Sequence, residues 1–168
     1  MEIDKIYSKI YSLEELKKEI VLWNKENKKI VFTNGCFDLI HQGHIDYLAK
    51  ARDLGDILII GLNTDSSVRR IKGSHRPIQD EKSRAIILAA MQFVDAIVYF
   101  DTPTPYDLIN AIQPDVLVKG ADYKAEDIVG YDIVMAKNGS VETLTFLDGY
   151  STSGIEKKII DEYNARKQ

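Results

Sequence analysis

One cysteine, Cys36, in 168 residues excludes an internal disulfide and fits a reducing compartment. No apolar run approaches the length of a membrane span, and Met1-Glu-Ile-Asp lacks a signal-peptide pattern, so a cytoplasmic protein with no membrane partner is expected. A basic excess is missing too. With 22 Lys and Arg against 26 Asp and Glu, the formal net charge is −4, which gives no reason to expect nucleic-acid binding. No repeat, low-complexity tract or linker interrupts the chain, and no Ser-His-Asp set stands out. Hydrophobic residues at 45% and charged residues at 29% are ordinary for a globular chain long enough to bury a core without staples.

Histidine is scarce as well. Two of the three stand in one tetrapeptide, His41-Gln42-Gly43-His44. Before it lies an apolar run, Ile30-Val31-Phe32, which reads as a buried strand from Lys29 to Asn34, and after it an amphipathic helix from Gly43 to Asp53. A strand running into a helix leaves unpaired N–H groups and the positive end of the helix dipole at the junction, a setting that binds phosphate. Gly43 has no Cβ to hold an anion off the backbone, and His41 and His44, three apart, share one side of the first turn. The same pair with Asp38 could instead hold a metal, as in a zinc hydrolase. Cys36 reads as a small residue packed in the turn rather than as a reactive thiol.

Other elements alternate along the chain. Ser12-Leu-Glu-Glu15 is a capping box that opens a packing helix to about Asn27, so that 1–27 reads as an N-terminal packing segment before a domain at 28–168. Strands are expected at Asp56–Asn63, Ala96–Phe100, Asp115–Val118 and Val141–Leu147. Helical stretches fall at Ser67–Ile71, Asp80–Phe93, Thr104–Ile112, Glu126–Asn138 (broken at Gly130) and Ile155–Ala165, and Lys72–Pro77 reads as a basic loop. The alternation predicts an α/β fold, a doubly wound, mostly parallel five-stranded sheet with helices on both faces. Ligands of such sheets sit beyond the carboxyl ends of the strands. The polar clusters fall there: Asn34 to His44, Asn63-Thr-Asp65, Lys119-Gly120-Ala121-Asp122-Tyr123 and Ser151-Thr152-Ser153.

Thr33-Asn34-Gly35-Cys36-Phe37-Asp38-Leu39-Ile40-His41-Gln42-Gly43-His44 resembles the signature of the His-x-Gly-His nucleotidyltransferase superfamily, and the fold expected is Rossmann-like. With Leu117-Val-Lys-Gly-Ala-Asp-Tyr123, the string is similar to D-glycero-β-D-manno-heptose 1-phosphate adenylyltransferase domains of ADP-heptose and lipopolysaccharide synthesis, from about Lys28 to Lys158. The resemblance implies AMP transfer from ATP to a sugar 1-phosphate, with magnesium arriving on the ATP and no tightly bound metal. It implies catalytic His41, His44 and Lys72, and nucleotide contacts from Cys36, Phe37, His41, His44, Lys119, Gly120, Asp122, Ser151, Thr152 and Ser153. Substrate contacts fall to Asp38, Asn63, Asp65, Lys72 and Arg84. The residues alone leave Lys72 open to being a solvated loop lysine, Arg84 a surface ion pair, Ser151 a helix cap, and Asp38 a carboxylate that pins its turn. A homodimer is implied, and since bifunctional relatives fuse a sugar kinase that this length does not hold, a separate heptose kinase is expected. Two departures bear on base and sugar preference: Ala121 where glycine is common, and Ser153-Gly154 where a second threonine is usual. A cytidylyltransferase acting on glycerol 3-phosphate or another polyol phosphate is the alternative activity, and a regulatory nucleotide-binding module the alternative class.

Overall fold

The computed structural model describes residues 1–121 and 124–167. It begins with helix α1 (Glu2–Tyr7) and a two-residue strand β1 (Ile10–Tyr11), followed by α2 (Leu13–Lys25). The Ser12 hydroxyl accepts from the Glu15 N–H while the Glu15 carboxylate accepts from the Ser12 N–H at 2.9 Å, as the capping box required. Strand β2 (Ile30–Gly35) leads to α3 (Gln42–Arg52), β3 (Ile57–Asn63) to α4 (Asp65–Lys72) and α5 (Glu81–Ala89), and β4 (Ala96–Phe100) to α6 (Tyr106–Ile112). Strand β5 (Val116–Gly120), a 3₁₀ turn (Ala125–Asp127), α7 (Tyr131–Ala136), β6 (Ser140–Leu144) and α8 (Thr152–Ala165) complete the order.

The strands form one sheet in the order β1-β4-β3-β2-β5-β6, every pairing parallel. It has six strands rather than the expected five, because β1 pairs beside β4 at the edge. Two residues are too short to show a period of two, so the sequence pattern passed over them. Lys72 also differs from expectation. It ends α4 instead of lying in a loop, since the helix capped by Thr64 runs on to Gly73, which leaves it at φ 97°.

Alternation sorts the core. Ile30, Phe32 and Ile59 face Leu16, Ile20, Ile109 and Val134 on one side of the sheet, while Val31, Leu58 and Ile60 face Leu48, Ala51, Ala85 and Leu88 on the other. Carboxylates just before strands satisfy the first N–H groups of their neighbours: Asp115 accepts from Ile30 and Asp95 from Leu58, each at 2.8 Å. The chain winds from β2 through β3 to β4, then returns to lay β5 against the other side of β2. Their carboxyl ends therefore flank the switch point, where such sheets place their ligands.

Candidate active site

Beyond Gly35 the chain makes a tight turn in which two non-glycine residues, Phe37 (φ 47°) and Leu39 (φ 49°), take left-handed backbone angles. Each costs on the order of 1–3 kcal/mol, a cost the surroundings must offset. They do so through Asp38, which is 5% exposed. Its carboxylate accepts from Ile78 N–H at 2.8 Å, Gln79 N–H at 3.0 Å and Arg76 Nη1 at 3.1 Å, and its carbonyl accepts from the Thr152 hydroxyl at 2.6 Å. Burial pushes the Asp38 carboxyl up, but these donors outweigh it and the net shift is downward. Asp38 thus pins the turn and also lines the cavity that opens beside it. Among the described residues no three His, Cys, Asp or Glu side chains gather as a metal set.

The turn delivers the chain into α3 with His41 at its N-cap. Among the described helices of eight or more residues, α2, α4, α5 and α8 are capped by Ser12, Thr64, Asp80 and Ser151, whereas α3 has no side-chain cap. Nor does α3 carry an acidic residue in its first turn. Its N–H groups and dipole are left open. The His41 and His44 rings stack there, centroids 3.9 Å apart, and the edge of Phe37 meets His44 at 5.5 Å. The buried Nδ1 atoms of both histidines have no hydrogen-bond partner among the described residues. Burial lowers the pKa of His41, and burial reinforced by the His41 charge takes His44 down to about 4 despite Asp38. Both rings are therefore neutral at pH 7. Gly43 leaves room for this packing: a Cβ there would press at 3.1 Å on the His41 ring and at 3.2 Å on Tyr150 Cβ.

A cavity of about 660 Å³ opens over the ends of β2 and β5. Cys36, Phe37, Asp38, His44, Lys72, Lys119, Gly120, Thr152 and Ser153 line it, so most of the expected site residues meet there. Lys119 donates to the Asn34 carboxamide oxygen at 2.5 Å, and burial brings its ammonium down to about 8. Gly120 makes room for Phe146, which would lie 2.2 Å from a Cβ at that position and which packs on Tyr47 at 5.2 Å between centroids. Cys36 has its thiol pushed up by burial, as fits an inert packed residue.

Other expected contacts lie elsewhere. Arg84 is 0% exposed and donates to the carbonyls of Gln79, Cys36 and Asn63 and to the Asp65 carboxylate at 2.8 Å. Asn63 donates to Ser67 Oγ at 2.9 Å, and the Asp65 N–H donates to Glu81 at 2.7 Å. Arg84, Asn63 and Asp65 form a brace beside the turn, and none of the three is among the residues lining the cavity. The sequence held the signal for Arg84, since it shares a helix face with buried Leu88 four residues on. Ser151 spends its hydroxyl on Gly154 N–H, and His41 backs His44 without lining the cavity. Asp122 lies outside the described residues. Arg76, His75, Phe146 and Glu156 also line the cavity and escaped the sequence reading: the first three lie in loops, which carry no period, and Glu156 reads as an ordinary polar position of α8.

Residues 32–158 match the cytidylyltransferase-like family. The chain is 53% identical over 93% of its length to a protein from Citrifermentans bemidjiense named bifunctional protein HldE, of which it covers 32%. It is 56% identical over 92% of its length to one of the same name from Campylobacter jejuni, again covering 32%. The chain thus spans about a third of the length of these relatives. Among solved structures, a lipopolysaccharide core biosynthesis protein from Thermoplasma volcanium aligns over 74% of this chain and 99% of its own, with a TM-score of 0.58 at 24% identity. Pantoate-beta-alanine ligase from Francisella tularensis aligns over 88% and 75%, with a TM-score of 0.56 at 16% identity. Both structural likenesses speak for the fold alone.

Proposed function

The chain belongs to the cytidylyltransferase-like family of nucleotidyltransferases, and from that premise we propose that it transfers AMP from ATP to D-glycero-β-D-manno-heptose 1-phosphate. The observation that carries the reading is the uncapped N-terminus of α3 with two buried imidazole nitrogens lacking partners, at a cavity edged by Lys72 and Lys119. A triphosphate laid there meets N–H donors, and magnesium bound to it neutralises part of its charge.

An oxygen of the sugar phosphate attacks the α-phosphorus of ATP as the bond to the α,β-bridging oxygen breaks, giving ADP-heptose and pyrophosphate. The nucleophile is already anionic, since the second pKa of a phosphate monoester is about 6, so no general base is needed. What the protein contributes is orientation and charge complementarity. His44 donates to the phosphate oxygens with His41 stacked behind it. Lys72 places a point charge at the cavity wall. Lys119, Thr152 and Ser153 hold the nucleotide on the β5 side.

The measurement is pyrophosphate release with ATP, CTP or GTP, each with heptose 1-phosphate or glycerol 3-phosphate, for the native chain and His41→Ala. Release with ATP and heptose 1-phosphate, lost in the variant, is the expected result. Release with CTP and glycerol 3-phosphate keeps the chemistry and overturns the substrates. A separate heptose kinase would supply the acceptor. Sedimentation of the purified chain tests the homodimer, and no described helix is long and apolar enough to cross a membrane.

A further inference from the structure

Two carboxylates, Asp38 and Glu156, stand among the side chains lining the cavity, and both hold the same cation, Arg76. Arg76 is 7% exposed. Its Nη1 donates to Asp38 at 3.1 Å, and its Nη2 donates to Glu156, one turn into α8. A negative charge facing inward is unfavourable in a cavity that takes polyanions, so each carboxylate needs a reason to be there. Asp38 has one, because it pins the turn with three donors and cannot leave. Glu156 has no such hold. Its side chain is 34% exposed, Arg76 is its one hydrogen-bond partner among the described residues, and α8 buries none of its residues. The Glu156 carboxylate can rotate into water without dragging the helix along, since Thr152 still ties α8 to the Asp38 carbonyl.

We propose that Arg76 grips the phosphate of the acceptor sugar, and that Glu156 is the internal carboxylate which that phosphate displaces. The proposal rests on the nucleotidyl-transfer reading. A phosphomonoester dianion competes well with one carboxylate for a planar guanidinium, which matches two phosphate oxygens as readily as two carboxylate oxygens. Arg76 reaches the cavity from the loop between α4 and α5, braced against Asp38 and α8, while the uncapped end of α3 is assigned to the triphosphate. Exchange leaves the Asp38 bond intact, so the guanidinium stays oriented throughout.

The test is Glu156→Gln, which keeps the shape and removes the competing charge, read by calorimetric binding of heptose 1-phosphate without nucleotide and by the KM of each substrate. Acceptor binding should tighten, and acceptor KM fall, by about fivefold, as expected for losing one half-exposed ion pair. The KM for ATP should hold. Weaker acceptor binding would overturn the proposal by making Glu156 a contact for sugar hydroxyls, and so would a change confined to ATP. Arg76→Lys, which keeps charge but not the planar fork, should raise acceptor KM with little change in kcat, and an unchanged acceptor KM in this variant would contradict the proposal. The binding arm needs no turnover. Tightened acceptor binding without pyrophosphate release would retire the proposed reaction and leave the exchange standing.

Discussion

Beyond the carboxyl ends of the strands, half-buried His41, His44 and Lys119 stand near Asn63, Asp65 and Arg84, of which Asn63 and Arg84 are buried. Their bonding differs. The Arg84 trio is saturated by protein, with the guanidinium alone making four hydrogen bonds. In the histidine trio the Nδ1 atoms lack partners, Lys119 has a single amide oxygen, and all three are pushed toward neutrality by burial. A saturated buried cation stabilises the scaffold, whereas an under-bonded one is completed by a ligand. Hydrogen-bond accounting separates brace from receptor where residue type cannot.

Breaking the brace should have the largest effect. Arg84→Ala removes the guanidinium donor from Asp65 and from three carbonyls, and chemical denaturation should show a loss of about 3–5 kcal/mol. Full stability in that variant would mean that the guanidinium is not spent on the scaffold. The reverse pattern is expected for His44→Ala: turnover should fall by about 10²–10³-fold, the scale for removing one preorganised donor to developing charge, while the melting temperature stays near native.

The histidine side of the comparison was legible because a strand, a turn and a helix in sequence fix where His41 and His44 must stand, whatever the rest of the chain does. Placement at the sheet edge was legible for Asn63 and Asp65 too, but not the direction in which their side chains turn. That depended on Arg84 arriving from α5, a contact 21 residues away for the Asn63 carbonyl. Arg76 and Glu156 are 80 residues apart, on a loop and at a helix start, and neither position follows a pattern that would pair them. Strand β1 was missed for want of length, and β6 was expected to reach Leu147. It ends at Leu144, with Phe146 beyond it packing over Gly120 and against Tyr47.

Titration sharpens the comparison further. His44 has a folded pKa of about 4 against an ordinary 6.5, so between those values the unfolded chain binds more protons than the folded one. Stability contributed by keeping the ring neutral is therefore present above about pH 6.5 and is lost as pH falls toward 4. Denaturation at steps across that window should show the decline, and His44→Asn should flatten it; an unaltered slope would assign the decline to other groups. A smaller effect is expected at Lys119, whose ammonium lies at about 8 and should rise when an anion is bound. ATP binding near pH 8.5 should take up a fraction of a proton, seen as a dependence of binding enthalpy on buffer ionisation and absent in Lys119→Met.

With three histidines in the chain, the most direct test is an NMR titration of the imidazole resonances, with and without magnesium pyrophosphate. The account predicts that His44 stays neutral down to about pH 4 alone and that its pKa rises when the anion is bound. A His44 that titrates near 6.5 and ignores pyrophosphate would contradict the claim that this turn is built to receive phosphate.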